Sequence, residues 1–373
     1  MPWKEKPRPT LVIGVDEDGN GSSKHNVGAL IVKQLLAKGI PTRAIVKDYD
    51  TAVRILGEDE VKRRDSMLEI VVGDPVNDEE FLGRVIRGCG AVVSACETKR
   101  KTKLFDLLPW RLFSTRKDSV EQWCWNDLTH PYFVHYKMQQ KIVRFAEEHL
   151  VKKIVRVSDR HVGFSSLNIV TILYNLVYSM CVKYQCLGED VIRNSTVSSM
   201  ILRPGRLVDE ERNATNVFVQ VDSSGILDRS ARISSTDLAG LVVASVQTQQ
   251  NDKSRNDKTT EERSYTIGTR WVDQNSSNDK LRYKRSKSKD SRNAEDCILG
   301  LKHDMFAPIF EEKRRKEMNL STLRPYASGV GMVVYTPLLL LFKFLLVLSK
   351  HQLLEWLIFP MNILRVGLKY SLL

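Results

Sequence analysis

The chain opens with a short apolar run, Leu11–Val12–Ile13. A glycine-bearing polar loop follows, and from about Asn26 the apolar positions fall at helical spacing (GALIVKQLLAKG from Gly28). That order predicts a buried strand, a loop and a helix. The pattern recurs. Pro41–Lys47 reads as a second strand and Asp50–Leu56 as a helix. Leu68–Val72 is a third strand ending in Gly73–Asp74, and Asn77–Arg87 a helix with Asp78, Glu79 and Glu80 suited to the positive end of its dipole. Ala91–Ala95, Lys153–Val157 and Val197–Leu202 are further strands, and Tyr132–His149 is an amphipathic helix. Ile233–Val246 has the pattern of a strand, a turn and a helix, and Ser264–Ile267 that of a late strand. Apolar runs alternating with helical patterns predict an α/β fold: a doubly wound parallel sheet of Rossmann type with a small C-terminal lobe.

The segments between are less regular. Lys99–Leu128, with Trp110, Trp123 and Trp125, reads as an insertion or long loop over the C-terminal edge of the sheet. Leu167–Val182 is a mostly apolar helix, too short to span a bilayer comfortably, and fits a core or interface helix better than a membrane-docking one. Gln247–Glu262 and Gln274–Ala294 are polar and read as disordered insertions or linkers. From Val330 the composition turns apolar. Gly331–Leu348 is long enough to cross a hydrocarbon core despite Pro337 and Lys343, and Leu353–Leu373 suits an interfacial helix or the return arm of a hairpin. A pair of buried helices is the alternative.

The expected division is residues 1–246 as the Rossmann-type domain with substrate-side elements and 247–297 as a polar basic insertion holding the strand 264–267. Residues 298–329 form a connecting helical segment, and 330–373 a membrane anchor. Lys313–Lys316 and Arg324 precede the apolar tail, which places the main domain on the cytosolic side, or on the stromal or matrix side of an organelle.

The net charge of +12 raises the question of nucleic acid, but much of it sits in Lys280–Lys289 and Lys313–Lys316. The chain has no zinc finger, RNP motif or basic-aromatic platform, so a nucleic-acid partner is not expected. A basic stripe beside an apolar tail suits anionic lipid. The six cysteines include no CxxC pair, which suits reduced thiols. The first residues, MPWKEKPRP, carry no apolar signal core, and the sequons at Asn194, Asn213, Asn275 and Asn319 are chance matches for a cytosol-facing domain.

The first loop is unusual. Gly14 and Gly28 stand where the outer glycines of a dinucleotide fingerprint belong, but thirteen residues intervene, against a spacing of about five in GxGxxG. Asp16, Glu17 and Asp18 lie among them. A carboxylate roughly 4 Å from a phosphate charge costs about 4 kcal/mol at an effective dielectric of 20. Lys24 and His25 can compensate, and Gly19 and Gly21 are candidates for a wider phosphate nest.

Seven segments in order resemble the atypical short-chain dehydrogenase/reductases, specifically the NmrA-like branch: Val12–Ile13–Gly14, GALIVKQLLAKG from Gly28, VVGD at Val71–Asp74, CGAVVSA at Cys89–Ala95, KIVRVS at Lys153–Ser158, GEDVIRNSTVSSMILRPGRLVDEE from Gly188, and ISSTDLAGLVVASV from Ile233. The resemblance covers about residues 10–270. It implies an NAD(P) cofactor, NADP in preference to NAD. It implies that Gly28 lets the first helix approach the pyrophosphate, that Lys47 pairs with the NADP 2′-phosphate and that Asp74 contacts the adenine amino group. Ser94 and Ala95 would line the adenosine ribose, Ser158 would close the cofactor site, and Arg203, Pro204 and Gly205 would shape the substrate-side wall. Read from the residues alone, Lys47 is equally a solvated loop charge and Asp74 equally a cap of the following turn.

Hydride-transfer members of the superfamily use a Tyr-x-x-x-Lys pair, which residues 10–270, the span of the resemblance, lack. Tyr136 is followed at that spacing by Gln140, Tyr174 by Tyr178 and Tyr178 by Val182. Lys141 and Lys183 are one residue out, about 100° round the helix. His161, after the fifth strand, is a further candidate for the cleft, and no metal cluster is expected. NmrA-like proteins without the pair often act as redox sensors or assembly scaffolds. Two functions follow: a membrane-attached NAD(P)H-binding protein that can reduce a small or lipidic carbonyl, or a non-catalytic Rossmann scaffold binding a protein partner at a membrane.

Overall fold

The computed structural model describes residues 7–15, 26–62, 67–98, 100–103, 127–164, 168–208, 217–222, 227, 230–247, 264–273, 290–291 and 297–298. The strands are β1 (Thr10–Ile13), β2 (Thr42–Val46), β3 (Leu68–Val72), β4 (Ala91–Ser94), β5 (Lys153–Val157), β6 (Ser198–Pro204), β7 (Arg206–Val208), β8 (Val217–Asp222), β9 (Arg232–Ser234), β10 (Ser264–Asp273) and β11 (Asp290–Ser291). The helices are α1 (Val27–Ala37), α2 (Tyr49–Leu56), α3 (Glu58–Lys62), α4 (Glu79–Ile86), α5 (Met138–Glu148), α6 (Ile169–Val177), α7 (Cys181–Arg193) and α8 (Ser235–Gln247).

Nine strands form one sheet in the order β11-β8-β10-β6-β5-β4-β1-β2-β3. Seven of them, from β10 to β3, are parallel neighbours, and β8 and β11 add antiparallel at the β10 edge. The strand order reverses between β1 and β4, which opens a crevice at their C-terminal ends.

Each central strand is buried on both faces, which is why it reads as an unbroken apolar run. Val12, Val155, Met200 and Leu202 point to one face, packed with Ile31, Val32, Leu35, Leu238 and Leu241 of α1 and α8. Their neighbours Leu11, Ile13, Ile154 and Ile201 point to the other, packed with Phe81, Leu82, Met138 and Ile142 of α4 and α5. The period of two thus sorts one run into two cores. Helix starts follow the side-chain capping rule. Asn26, Asp48 and Asp78 accept from the backbone N–H three residues on, at 2.9, 2.6 and 2.8 Å.

The structure departs from the sequence expectation in three places. The single helix expected over 167–182 is two helices, α6 and α7, broken where Ser179 (φ 50°) and Met180 (φ 64°) turn left-handed. The first part of the expected helix 132–149 is a π-helical turn, Tyr132–Lys137. The late strand does not stop at Ile267; β10 runs to Asp273 and pairs with β6 from Ser264 to Thr269. Its second half, Gly268–Asp273 (GTRWVD), has no apolar run to read, yet it pairs with β8 along its whole length. A two-stranded sheet, β7 with β9, stands where the small C-terminal lobe was expected.

The anchor expected at 330–373 lies outside the described residues, as do Gly19, Gly21, the acids at 16–18 and most of 99–128. Among the described residues, no helix is long and apolar enough to cross a membrane.

Candidate functional site

The site is built at the β1–α1 junction. Gly14 has φ +96°, and a Cβ there would sit 2.6 Å from the Ala95 carbonyl carbon. A Cβ on Gly28 would sit 2.1 Å from the Gly14 carbonyl oxygen. Only glycine fits either place, so the first turn of α1 packs directly on the end of β1. Asn26 fixes this contact from both sides. Its Oδ1 caps α1 by accepting from Ala29 N, and its Nδ2 donates to the Val15 carbonyl at 2.6 Å. Ala95 N donates to the Ile13 carbonyl at 2.9 Å and closes the crevice from the β4 side. The two glycines separated in sequence are therefore neighbours, with the intervening residues leaving and rejoining at one point.

A cleft of about 810 Å³ opens over this junction, lined by Gly14, Gly28, Lys47, Asp74, Ala95, Ser158, Pro204 and Gly205 among others. Eight of the residues expected from sequence therefore meet in one space, of the size range in which cofactor sites fall. Two do not line it. Ser94 is buried beneath, with its Oγ accepting from Gln139 Nε2 at 3.0 Å. Arg203 is also buried, held against Glu189. Lys47, exposed at the end of β2, faces the cleft. Asp74 also caps the following turn, since its Oδ1 accepts from Val76 N at 2.9 Å and Asn77 N at 3.3 Å.

Beneath Ser158 lies a buried ion-pair cluster. Ser158 Oγ donates to Glu189 Oε1 at 2.5 Å, and Arg203 donates to the same carboxylate through Nε at 3.1 Å and Nη2 at 2.5 Å. Arg193 reaches it one turn along α7. Burial pushes the Glu189 carboxyl up, but Arg203 and Arg193 outweigh this and hold it well below the usual range. The cluster fixes the C-terminal end of β5 to α7 and β6, and with it the wall that carries Ser158.

The same wall carries a feature that spacing alone did not expose. Asp159 Oδ1 accepts from the His161 backbone N at 2.7 Å and meets His161 Nδ1 at 2.5 Å. The His161 ring stacks on Tyr174 with centroids 4.5 Å apart. Burial raises Asp159, but its bond to His161 is stronger and leaves the carboxyl lowered. Burial and then Asp159 raise the Tyr174 phenol. Asp159, His161 and Tyr174 all line the cleft. A carboxylate that accepts from Nδ1 fixes the tautomer and leaves Nε2 as the nitrogen that exchanges a proton. His161 was legible as a cleft candidate; its partners were not, because Tyr174 lies thirteen residues further on in a different helix. Tyr136, by contrast, packs among Tyr132 and Tyr184 away from the cleft, with its hydroxyl accepting from Gln140 at 3.0 Å. Among the described residues there is no cluster able to hold a metal ion.

A family model described as NAD(P)H-binding matches residues 24–249, more than half of the chain. The chain belongs to the NAD(P)H-binding family. This agrees with the resemblance in the sequence at the level of an NAD(P)-binding Rossmann protein. Family membership fits the cradle, since the glycine contact lets the first turn of α1 pack on the end of β1 and brings its N-terminus to the cleft. Three solved structures give the range of similar folds. A putative NAD-dependent epimerase/dehydratase from Bacillus halodurans is 17% identical over 71% of this chain and 95% of its own, with a TM-score of 0.47. A short-chain dehydrogenase/reductase from Veillonella parvula, crystallised with NADP, is 13% identical over 70% and 94%, with a TM-score of 0.43. ChuY, an anaerobillin reductase from Escherichia coli, is 16% identical over 69% and 96%, with a TM-score of 0.41. No curated protein matches the sequence.

Proposed function

We propose that this family member binds NADPH in preference to NADH and reduces a small or lipidic carbonyl at a membrane to which residues 330–373 attach it. The observation that carries the reading is the contact of Gly28 with Gly14, which brings the N-terminus of α1, Lys47 and Asp74 to one cleft. Backbone N–H groups of the α1 first turn meet the pyrophosphate, and Lys47 meets the 2′-phosphate that distinguishes NADP from NAD. Arg160 and Arg206 on the cleft wall add positive charge toward a polyanionic ligand. Asp74, already engaged with two backbone N–H groups, retains lone pairs for the adenine amino group.

When bound, the nicotinamide supplies a hydride; the chain supplies orientation and a proton. Among the described residues no tyrosine–lysine pair at that spacing serves that second role. His161, oriented by Asp159 and stacked on Tyr174, is the cleft group placed to give the proton. The domain faces the cytosolic side, or the stromal or matrix side of an organelle.

A second reading is a non-catalytic scaffold that holds a protein partner at the membrane. It is favoured by Tyr178, whose ring lies 4.5 Å from Tyr174 at the position a lysine would take. The two are separated by following NADPH absorbance with the full chain, lipid vesicles and long-chain aldehydes or quinones. Turnover that falls in His161→Asn while NADPH affinity is unchanged supports the reductase. Tight NADPH binding with no turnover on any carbonyl supports the scaffold.

A further inference from the structure

Helix α6 meets the protein through Thr171 and Asn175 as well as through Ile172 and Leu176, which pack on the cluster of Tyr132, Phe133 and Tyr184, and it turns Leu173 and Val177 outward. Thr171 and Asn175, one turn apart, are 4% and 2% exposed, whereas Leu173 and Val177 are 54% and 49% exposed. A helix facing water carries polar residues on its outer face, which α6 does not at these two positions. The orientation is fixed by hydrogen bonds. Asn175 Oδ1 accepts from Lys183 N at 3.3 Å, and the Asn175 carbonyl accepts from Met180 N at 2.8 Å. Thr102 straps the end of the helix, donating from its N to the Val177 carbonyl at 2.8 Å and accepting at Oγ1 from Ser179 N at 2.6 Å. The helix therefore cannot simply roll its aliphatic side inward.

Isolated exposed aliphatics need no explanation, but these two lie one turn apart on one face. The strap that holds them also carries Lys101 and Lys103, both exposed; Lys103 is bonded to Asp127 at 2.6 Å, so Lys101 is the main cation bordering the apolar face. An aliphatic stripe with a lysine rim has the chemistry of a helix lying in the headgroup–acyl boundary of an anionic bilayer. The chain's apolar stretch 331–348 supplies an independent reason for it to be at a membrane. A second copy is disfavoured as occupant, because a two-fold contact through this face would bring the lysine rims of both copies together.

We propose that the outer face of α6, through Leu173 and Val177 with Lys101, docks in the interface of an anionic lipid membrane. Tyr174, on the same helix, lines the cleft, so the docked helix sets the cleft beside the lipid phase. That last consequence rests on the proposed function; the docking does not.

The test uses the full chain with a solvatochromic amino acid encoded in place of Leu173, Val177 or, as control, Leu150, which is exposed at the opposite end of β5. Phosphatidylcholine vesicles with and without phosphatidylserine are the probe. Blue-shifted emission at 173 and 177, quenched by doxyl-labelled lipid, with 150 unchanged, is the expected result. Reversing the rim charge with Lys101→Glu should cut the shift at least threefold on phosphatidylserine vesicles. The two reporter sites are read separately, so a poorly folding variant at one leaves the other. The proposal is overturned if 173 and 177 stay aqueous on vesicle-bound protein, or if the chain does not bind vesicles. It is overturned equally by a lipid-free shift that grows with protein concentration, which would mark a second copy. A lipid-free shift lost on deleting 330–373 would mark the chain's own tail and also overturn it. Because NADPH titration of the same samples reads the cleft, failure of the docking and failure of the nucleotide reading are distinguishable.

Discussion

Asn26 Nδ2 donates to the Val15 carbonyl oxygen at 2.6 Å, and this bond joins the two ends of the loop that holds Asp16, Glu17 and Asp18. The two ends of that segment, Val15 and Asn26, are thus held together directly. Asn26→Ala should remove both the cap and the clasp. A lost N-cap alone costs about 1 kcal/mol. A fall in melting temperature of several degrees, together with weaker NADPH binding, is the expected outcome by scanning calorimetry and titration.

Gly28→Ala tests the cradle itself. The added Cβ would meet a backbone oxygen, Gly14 O, at 2.1 Å, and backbone cannot swing aside as a side chain can. Helix α1 must retreat from β1. NADPH affinity should fall at least tenfold, about 1.4 kcal/mol, while far-ultraviolet circular dichroism stays that of an α/β fold.

Lys47→Ala should separate the two nucleotides. A charge-assisted contact to the 2′-phosphate is worth about 1.5–3 kcal/mol, so the NADPH dissociation constant should rise about tenfold or more. NADH affinity should stay within about twofold. Equal losses for both would assign Lys47 to the pyrophosphate instead.

Much of this was legible in the sequence, for a physical reason. Strands buried on both faces are largely apolar runs, so the central strands could be read directly along the chain, and glycines at tight backbone approaches are visible as letters. What was not legible depended on contacts distant in sequence. The closure of Val15 on Asn26 is one; the stacking of Tyr174 on His161 is another. The break at Ser179–Met180 was hidden because the run from 167 to 182 stays apolar through it, and neither residue has the glycine signature of a left-handed turn. The roles of Thr171 and Asn175 were hidden because polar letters in an apolar helix read as its outside, while here they are its inside.

Glu189→Gln should be among the most damaging single changes outside the cleft. It leaves Arg203, buried, and Arg193 without their shared carboxylate. Breaking a buried pair on one side costs about 3–5 kcal/mol. Urea unfolding should show a loss of that size, partly recovered when Arg203→Met is added.

The stability of the fold should also fall in mild acid before its carboxylates titrate. His135 is buried, its Nε2 has no partner among the described residues, and burial followed by Arg156 lowers its pKa from 6.5 to about 3. It is neutral when folded and takes up a proton on unfolding below pH 6.5, so stability is present above that pH and is lost as pH falls toward 3. Between pH 7 and 5 the loss is about 2 kcal/mol. Glu189, lowered from 4.5, adds its own loss only below that value. His135→Gln should flatten the dependence of unfolding free energy between pH 7 and 5 and leave the steeper fall below 4.5.

The central claim, that the closed β1–α1 junction still holds a dinucleotide, is tested most directly by calorimetric titration of NADPH and NADH into the full chain. Micromolar NADPH binding, tighter than NADH and weakened by Gly28→Ala and Lys47→Ala, is the predicted result. No binding of either nucleotide at millimolar concentration would contradict it and leave the cleft as a surface for a protein partner.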